Sequence, residues 1–161
     1  MTGSEGHAAM QPQIRRLRPE EFQKCSGIWD MEKHAELAAR FLAELQGGNR
    51  LTWVYEKDGQ FLGEISLVKD KDDPDYTIPS RRACVSHLIV RPEERRKGIG
   101  KALTEYAVNK AVEMGYSELS IGVDIDNYAA LRLYWEAGFR EIIFVGEDAD
   151  GRYFKLLKRL R

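Results

Sequence analysis

The feature that most constrains the fold is a strand pattern, a helix pattern and a second strand pattern that follow one another in mid-chain. Residues 82–90 end in a purely apolar run, and Pro92 then breaks the pattern. Apolar residues recur at helical spacing over 98–114 and alternate with polar ones over 118–123. A strand, a crossover helix and a second strand favour two parallel neighbouring strands, joined right-handedly.

Further strand and helix patterns lie on both sides of this unit. In chain order the patterns are one strand, two helices, three strands, one helix, one strand, one helix and two strands. This order predicts an α/β fold of about seven strands and about four helices, a mixed sheet with helices on its faces. The predicted strands cover residues 13–17, 52–56, 61–68, 82–90, 118–123, 139–145 and 152–157. The first predicted helix begins near Pro19, and the other three cover 35–45, 98–114 and 127–138.

Length and charge are those of one ordinary domain. The chain has 161 residues, of which 43% are hydrophobic, and its 25 Lys and Arg nearly balance its 26 Asp and Glu. A chain of this size buries enough surface to fold without disulfides or metals. A net charge of −1 argues against a surface built for nucleic acid or anionic lipid. We expect a flexible leader over residues 1–12 and a single domain over 13–161.

The sequence carries no signal for a membrane or a metal. Residues 1–10 lack the basic start and apolar stretch of a secretory signal, and no apolar run approaches the roughly 20 residues of a transmembrane helix. Cys25 and Cys84 lie far apart, without the Cys or His spacing that is typical of metal sites. We therefore expect a cytoplasmic protein that binds no metal.

A basic, glycine-containing turn lies where the strand over 82–90 passes into the next helix. Its sequence is Arg95-Arg96-Lys97-Gly98-Ile99-Gly100-Lys101, and the segment 91–101 has five cations against two acids. A helix N-terminus offers amide groups without partners, and glycines let an anion approach them, so the turn is suited to phosphate. The alternative is that the glycines only permit a tight entry into a helix with a solvated basic surface. Neither the P-loop pattern nor the dinucleotide fingerprint is present.

A second motif lies in the short helix that follows the crossover unit. Asn127 and Tyr134 are seven residues apart, two helical turns, so both side chains project from one face. Taken alone, this spacing more often belongs to a tyrosine at the edge of the core whose hydroxyl reaches water.

Together, in this order and separation, the two motifs resemble the GNAT superfamily of acyl-CoA-dependent N-acetyltransferases. The segment Arg95-x-x-Gly98-x-Gly100 matches the family pattern of Gln or Arg, two residues, Gly, one residue, and Gly or Ala. The segment Asn127-x-x-Ala130-x-x-x-Tyr134-x-x-x-Gly138-Phe139 is similar to the family's fourth-helix signature, and residues 14–21 resemble its first strand and helix start. The resemblance covers most of the chain.

The resemblance implies a GNAT-like fold, mostly antiparallel, in which one central parallel pair of strands splays apart to admit the pantetheine arm. It implies acetyl-CoA as co-substrate, with backbone hydrogen bonds from Leu88 and Val90 to the pantetheine and the pyrophosphate on the amides of 95–101. Asn127 would contact the pantetheine, and Ala130 would leave room for it. The full set of residues expected to bind acetyl-CoA is Leu88, Ile89, Val90, Arg95, Arg96, Lys97, Gly98, Ile99, Gly100, Lys101, Asn127, Ala130 and Tyr134.

The resemblance also implies two catalytic groups. The amide of Leu88 would stabilise charge on the carbonyl oxygen, and the phenol of Tyr134 would protonate the departing thiolate as general acid. With a phenol near ~10 and a thiol near ~8.5, that proton transfer is uphill by about 2 kcal/mol.

The general base stays open at this stage. Cys84 and Ser86 stand where many relatives carry Glu or His, so the sequence departs from the family pattern there. The remaining candidates are Glu64, His87 and Asp124, either directly or through water, and the reaction could also proceed without a dedicated base.

Each of these residues also has a structural interpretation. His87 is out of phase with Leu88 on an alternating strand and would then pack toward a helix. Glu64 would be the solvent-facing member of its strand, and Asp124 would shape a turn. Cys84 would be a small buried hydrophobe rather than an acyl-carrying nucleophile.

The acceptor is expected to be the primary amine of a small molecule. In the family, selectivity resides in variable segments, which here are 29–49, 70–82 and 147–151. The acidic loops 70–75 and 147–150 could attract a cation, although solvated loops are the commoner meaning of such runs. We expect no nucleic-acid or membrane partner, and the resemblance allows a homodimer. The alternative function is a catalytically silent sensor that binds acyl-CoA in the same fold.

Overall fold

The computed structural model describes residues 11–160. The expected leader over 1–12 falls mostly on residues 1–10, which lie outside the described residues. Within the described part, no helix has the length and apolar character needed to cross a membrane.

The strands form one seven-stranded mixed sheet in the order β1-β2-β3-β4-β5-β7-β6. Only the β4–β5 pair is parallel, so the predicted fold class, with its single central parallel pair, is confirmed. The strands are β1 (Gln13–Arg16), β2 (Arg50–Lys57), β3 (Gln60–Val68), β4 (Arg82–Val90), β5 (Glu118–Asp124), β6 (Glu141–Asp148) and β7 (Gly151–Arg159).

Helices cover both faces of this sheet. Three of them are α-helices, a fourth is a nine-residue 3-10 helix, and a three-residue 3-10 turn follows β4. The α-helices are α1 (Ala35–Gly47), α2 (Ile99–Glu113) and α3 (Tyr128–Glu136), and the 3-10 segments are Pro19–Gly27 and Pro92–Glu94.

Local sequence signals explain where several elements turn or end. The Asp58-Gly59 pair joins β2 to β3 with φ values of +52° and +78°, the conformation of the tight hairpin turn that an Asp-Gly pair favours. Gly48 caps α1 in the left-handed region with φ of +81°. Both features are explained by residue types at these positions.

The first predicted helix forms, but as a 3-10 helix. Phe22 and Cys25 are buried within it, and Ile28 is buried directly after it. Three-residue spacing places these side chains on one face of a helix with three residues per turn, so the segment packs on the sheet in this form.

The two faces of the sheet carry separate apolar clusters. Helix α2 packs on one face, where Leu103, Ala107 and Ala111 are fully buried against the strands. The 3-10 helix and α1 pack on the other face, around Phe41 and Val54.

Strands β4 and β5 pair only at their beginnings. Cα partners run from Arg82 with Glu118 to Cys84 with Ser120, whereas β4 continues to Val90. The two strands therefore diverge and leave a gap in the centre of the sheet, as the resemblance implied.

A β-bulge interrupts β4 beside this gap. The register between β3 and β4 shifts between Glu64 and Ser66, where His87 and Leu88 of β4 oppose a single residue of β3. His87 has a φ of +54°, in the left-handed region that few non-glycine residues adopt. The bulge reverses the alternation of β4 from this point onward.

The segment 70–79 is irregular, as predicted, but it is anchored rather than simply exposed. Nζ of Lys155 lies 3.0 Å from Oδ2 of Asp73 and 3.0 Å from Oδ2 of Asp75. The hydroxyl of Ser120 donates a 2.6 Å hydrogen bond to the carbonyl of Tyr76. These contacts hold the segment against β5 and β7, next to the gap.

Candidate active site

Two cavities meet at the gap between β4 and β5. The loop-side cavity, of about 450 Å³, is lined by the 70–79 segment, β4, β5 and α3. The helix-side groove, of about 560 Å³, lies between β4, α2 and α3. Asn127, Ala130 and Tyr134 line both of them, so α3 stands at the junction.

Tyr134 occupies this junction with its ring buried. The residue is 7% exposed and its ring packs edge-on against Phe139. Nη1 of Arg50 is the only buried side-chain nitrogen or oxygen without a partner in residues 11–160. The Tyr134 hydroxyl has no hydrogen bond to this part of the chain, so it is open to the cavities. Burial raises the pKa of Tyr134 to about 12, so the phenol is protonated at neutral pH.

The glycine turn opens toward the helix-side groove. Gly98 is the N-cap of α2 with φ of +87°, and Arg96 also has a positive φ of +64°. The first turn of the helix is closed by the Ala102 amide, which donates to the Gly98 carbonyl at 3.0 Å. The amides before Ala102 therefore precede the first such bond of the helix, and no side chain caps it.

The basic residues of this turn differ in whether they are already engaged. Arg96 and Lys101 have no ion pair within residues 11–160. Arg96 lines the groove, whereas Lys101 lines a separate small cavity between α2 and α3. The other cations have partners: Arg91 binds Glu93 at 3.0 Å, Lys97 binds Glu94 at 3.2 Å, and Arg95 donates to the Val90 carbonyl at 3.0 Å.

The walls of the groove come from β4 and α3. Leu88, Ile89 and Val90 line it on the strand side, along the part of β4 that has no partner on β5. Asn127 caps α3, because its Oδ1 accepts a 3.2 Å hydrogen bond from the Ala130 amide. This cap orients Asn127 while leaving its amide nitrogen without a protein partner in residues 11–160.

Gly100 and Ile99 have different positions in the same turn. A β-carbon on Gly100 would meet Leu133 at 3.4 Å, so the glycine leaves the groove wider between α2 and α3. Ile99 is 5% exposed and packs with the α2 core, and it also lines the groove. In this motif, Ile99 forms part of the wall of the groove, and Gly98 and Gly100 leave space for a ligand.

Glu64 is not the solvent-facing residue that strand alternation suggested. It is 2% exposed, and its Oε1 accepts a 2.8 Å hydrogen bond from Nε1 of Trp29. All the β3 residues from Phe61 to Val68 are buried, because the 3-10 helix and α1 cover one face of the sheet and α2 covers the other. The alternation of polar and apolar residues therefore does not report exposure on this strand.

His87 packs toward the 3-10 helix and α1, as its phase suggested, and it also reaches the loop-side cavity. Its ring lies edge-on to Trp29 at 4.7 Å and to Phe41 at 4.9 Å between centroids. Its Nδ1 lies 3.4 Å from Oε2 of Glu64. The structure thus brings together two residues that the sequence treated as separate base candidates.

Asp124 and Cys84 line the loop-side cavity with different environments. Burial, followed by the charges of Asp148, Asp126 and Asp150, raises the pKa of Asp124. Cys84 is 2% exposed, and burial raises the pKa of its thiol, so it is a protonated, buried side chain. Cys84 therefore lacks the environment of a reactive nucleophile.

The acidic loops contribute unequally to this cavity. Asp73 and Asp75 are paired with Lys155, whereas Asp148 lines the cavity on the side of β6. The charge that a bound molecule would meet there is thus carried by Asp124 and Asp148, opposite Lys71.

Comparison with known proteins identifies the family. The model of the acetyltransferase (GNAT) family matches residues 12–139, which is most of the chain. The chain belongs to the GNAT acetyltransferase family.

Curated relatives with similar sequences are N-acetyltransferases. N-acetyltransferase family 8 member 3 of Mus musculus is 30% identical over 128 residues, which are 80% of this chain and 52% of the relative. The protein of the same name from Rattus norvegicus is 36% identical over 89 residues, 55% of this chain and 38% of the relative. The chain thus spans about half or less of the length of these relatives.

Solved GNAT structures share the fold along nearly the whole chain. An aminoglycoside 6'-acetyltransferase type Ii superposes with a TM-score of 0.75 at 17% identity, covering 92% of this chain and 97% of that chain. An aminoglycoside 6'-N-acetyltransferase complexed with coenzyme A has a TM-score of 0.74 at 15% identity, covering 92% and 97%.

Several residues of this GNAT site were not singled out by the sequence. Trp29 donates a hydrogen bond to Glu64. Tyr76 lines the loop-side cavity, although its segment has the sequence pattern of an acidic loop and nothing more. Arg50 is 3% exposed, stacks on Phe41 at 3.7 Å and donates a 3.2 Å hydrogen bond to Ser86. No local motif indicates these roles, because each depends on partners far away in the sequence.

Proposed function

We propose that this GNAT domain transfers the acetyl group of acetyl-CoA to the primary amine of a small molecule, by direct attack with Tyr134 as general acid. The observation that carries the proposal is the meeting of two cavities at the Tyr134 hydroxyl. One cavity has the chemistry to hold a thioester donor, and the other is large enough for an acceptor.

The helix-side groove fits acetyl-CoA. It combines helix-start amides, a glycine N-cap and the charge of Arg96, which suit a pyrophosphate, with Lys101 following in the first turn of α2. The unpaired edge of β4 offers backbone groups of Leu88 and Val90 to the pantetheine, with Asn127 and Ala130 on the opposite wall. The solved relative that is complexed with coenzyme A supports this assignment.

The bulge in β4 supports the proposed oxyanion donor. Leu88 lies in the bulge, where it has no Cα partner in the ladder with β3 and none on β5. In this proposal its amide donates to the carbonyl oxygen that gains charge when the amine attacks.

In this proposal Tyr134 protonates the leaving sulfur, and its raised pKa changes the energetics of that step. With the pKa of Tyr134 at about 12, transfer to a fully formed thiolate with a pKa near ~8.5 is uphill by about 5 kcal/mol. The same burial disfavours a charged thiolate in the gap, which reduces this difference. Proton transfer should therefore accompany breakage of the carbon–sulfur bond rather than follow it.

The loop-side cavity is assigned to the acceptor. It lies across the gap from the groove, and Tyr134, Ser86 and His87 line it together with Asp124. An amine in this cavity would approach the thioester through the divergence of β4 and β5. Glu64, His87 and Asp124 are the base candidates on this side.

The test is to measure acetyl-CoA binding by calorimetry and then thiol release with a panel of amines. Small amines with one or two ammonium groups, amino acids and a peptide N-terminus should be compared at equal concentration. We expect acetyl-CoA binding and amine-dependent thiol release with at least one small amine. Binding without thiol release from any amine would favour the silent acyl-CoA sensor, and lack of binding would contradict both functions.

A further inference from the structure

We propose that His87 is the base that removes the proton of the incoming ammonium, and that Glu64 is a positioning residue that fixes the imidazole for this task. The inference rests on the proposed acetyl transfer and specifies how this site makes its nucleophile. It treats the two residues as one unit with Trp29, at a place on β4 that differs from the positions of Cys84 and Ser86.

The carboxylate of Glu64 is held at both oxygens. Its Oε1 accepts a 2.8 Å hydrogen bond from the indole of Trp29, and its Oε2 lies 3.4 Å from Nδ1 of His87. A carboxylate that accepts from Nδ1–H fixes the tautomer in which Nε2 has the lone pair. The same carboxylate compensates the charge of the imidazolium once Nε2 has taken a proton.

The imidazole is held in place by packing as well. Its ring lies edge-on between Trp29 and Phe41, with centroid distances of 4.7 and 4.9 Å. The bulge gives His87 a φ of +54°, a conformation that costs free energy and is found preferentially at functional sites. The fold thus maintains an unfavourable backbone conformation that turns this one side chain toward Glu64.

The second ring nitrogen is available for chemistry. Nε2 of His87 has no hydrogen-bond partner within residues 11–160, and it is not among the buried unpartnered atoms, of which Nη1 of Arg50 is the only one there. Nε2 is therefore accessible, and the opening that His87 lines is the loop-side cavity. Tyr134 lines the same cavity, so base and acid face one space.

The charged and titratable groups around the imidazole come from four elements. Glu64 of β3 contacts it directly, and Cys25 of the 3-10 helix contacts Glu64 in turn. Arg50 of β2 lies on the other side of Phe41, and His34 at the start of α1 lies beyond Trp29. Glu64 is the only acid among them that touches the ring.

The proposed steps conserve atoms and protons. Nε2 of His87 takes one proton from the ammonium, and the amine nitrogen then forms a bond to the thioester carbonyl carbon. As the carbon–sulfur bond breaks, the sulfur takes the proton of Tyr134, and the surplus proton on the new amide nitrogen returns to the Tyr134 oxygen. His87 releases its proton to solvent, so the net products are amide, coenzyme A and one proton.

The first experiment compares the wild-type chain with His87→Asn, because asparagine tolerates a positive φ. We expect kcat/KM for the amine to fall about a hundredfold or more at pH 7. The remaining rate should rise about tenfold per pH unit until the amine itself deprotonates, because the variant needs a neutral amine. Acetyl-CoA affinity, measured by calorimetry, should stay unchanged.

The second experiment tests the role of Glu64 by chemical rescue. His87→Gly relieves the backbone conformation and leaves a slot between Trp29 and Phe41, and added imidazole should restore turnover at least tenfold. In the double variant His87→Gly with Glu64→Gln, imidazole should restore little, since nothing fixes its tautomer. A purely structural role for Glu64 would leave the rescue intact and would overturn this part.

The control is Asn109→Ala on α2, an exposed residue that lines neither cavity and whose change should leave kcat/KM and its pH dependence unchanged. The proposal is overturned if His87→Asn keeps wild-type turnover, or if it loses acetyl-CoA binding together with turnover. If the wild-type chain acetylates no amine at all, the proposed function fails instead, so the two failures are distinguishable.

Discussion

The phenol oxygen of Tyr76 lies 2.5 Å from the position that a β-carbon on Gly122 would occupy. Tyr76 belongs to the anchored 70–79 segment, and Gly122 lies on β5 where that strand diverges from β4. The carbonyl of Tyr76 is fixed by the 2.6 Å hydrogen bond from Ser120. The ring can therefore cover β5 only because residue 122 has no side chain.

Gly122→Ala is expected to displace Tyr76 and reshape the loop-side cavity. The new methyl group would overlap the phenol, and the fixed main chain of Tyr76 leaves ring rotation as the main way to relieve the overlap. We expect kcat/KM for the acceptor to fall about tenfold or more while acetyl-CoA affinity is kept, because the helix-side groove is untouched. Steady-state kinetics and calorimetry together measure this split.

The control for this variant is Gly47→Ala in the last turn of α1, where a β-carbon would meet nothing within 4 Å. It should leave both constants unchanged. Equal loss of acceptor and acetyl-CoA affinity in Gly122→Ala would mean that the two cavities are not separate binding sites.

Tyr134→Phe removes the proposed acid and keeps the ring. Because the hydroxyl has no protein partner in residues 11–160, its loss should change stability little and leave acetyl-CoA affinity intact. Turnover should fall about ten- to ten-thousand-fold, the range typical of a lost general acid. Single-turnover kinetics with a good and a poor thiol leaving group should show the larger loss for the poorer one.

Tyr128→Phe is the matched control on the same helix, since Tyr128 is 76% exposed. An unchanged rate in Tyr134→Phe would refute the role of Tyr134, whereas an equal loss in both variants would point to a general effect on α3.

The sequence was sufficient for the elements and their order. Hydrophobic periodicity and turn-forming residues are local properties of a sequence. The Asp58-Gly59 hairpin, the crossover unit and the glycine turn at Gly98 can therefore be predicted from the sequence alone. The GNAT motifs then placed Tyr134 and Asn127 on one helix, and the structure brings both to the gap.

What the sequence could not give depends on distant partners. The burial of Glu64 follows from Trp29 and His87, which lie 35 and 23 residues away along the chain. The anchoring of the acidic loop depends on Lys155, which lies 82 residues from Asp73. The alternation of side chains between the two faces of β4 is interrupted at the bulge. An extra residue in a strand changes the face to which the following side chains point, and the composition of the strand does not reveal it.

The variant Arg96→Gly tests the charge of Arg96 while keeping the backbone conformation of the glycine turn. Arg96 has a φ of +64°, which glycine adopts readily, so the variant should unfold at the same or a higher denaturant concentration. It removes a cation without an ion pair in residues 11–160, so acetyl-CoA affinity should fall several-fold. The loss should shrink as ionic strength rises, because the charge acts through solvent.

Lys97→Ala is the comparison, since Lys97 is already paired with Glu94 at 3.2 Å. Its effect on acetyl-CoA affinity should be smaller than that of Arg96→Gly at every salt concentration. A larger effect of Lys97→Ala would show that the groove takes its charge from the paired residue.

The stability of the domain in acid should depend on an ion pair at the β1 edge of the sheet. Glu21 accepts two hydrogen bonds from the guanidinium of Arg15, at 3.0 and 2.8 Å, and a third from the Arg18 amide at 3.1 Å. The bonds from Arg15 are the largest cause that lowers the pKa of Glu21 to about 2. Glu56 binds the same guanidinium from β2, so the pair joins the start of the 3-10 helix to the sheet.

Glu21→Gln should therefore lower the free energy of unfolding in a pH-dependent way. A carboxyl group whose pKa is lowered by folding stabilises the native state fully above its unfolded pKa, and the effect disappears as pH falls toward the folded pKa. Allowing for solvent screening, we expect a loss of about 2 kcal/mol at pH 7 that decreases below about pH 4.5 and vanishes near pH 2. Urea denaturation across this range measures it. Glu20→Gln, on an exposed neighbour, should change little at any pH, and a pH-independent loss in Glu21→Gln would contradict the role of its charge.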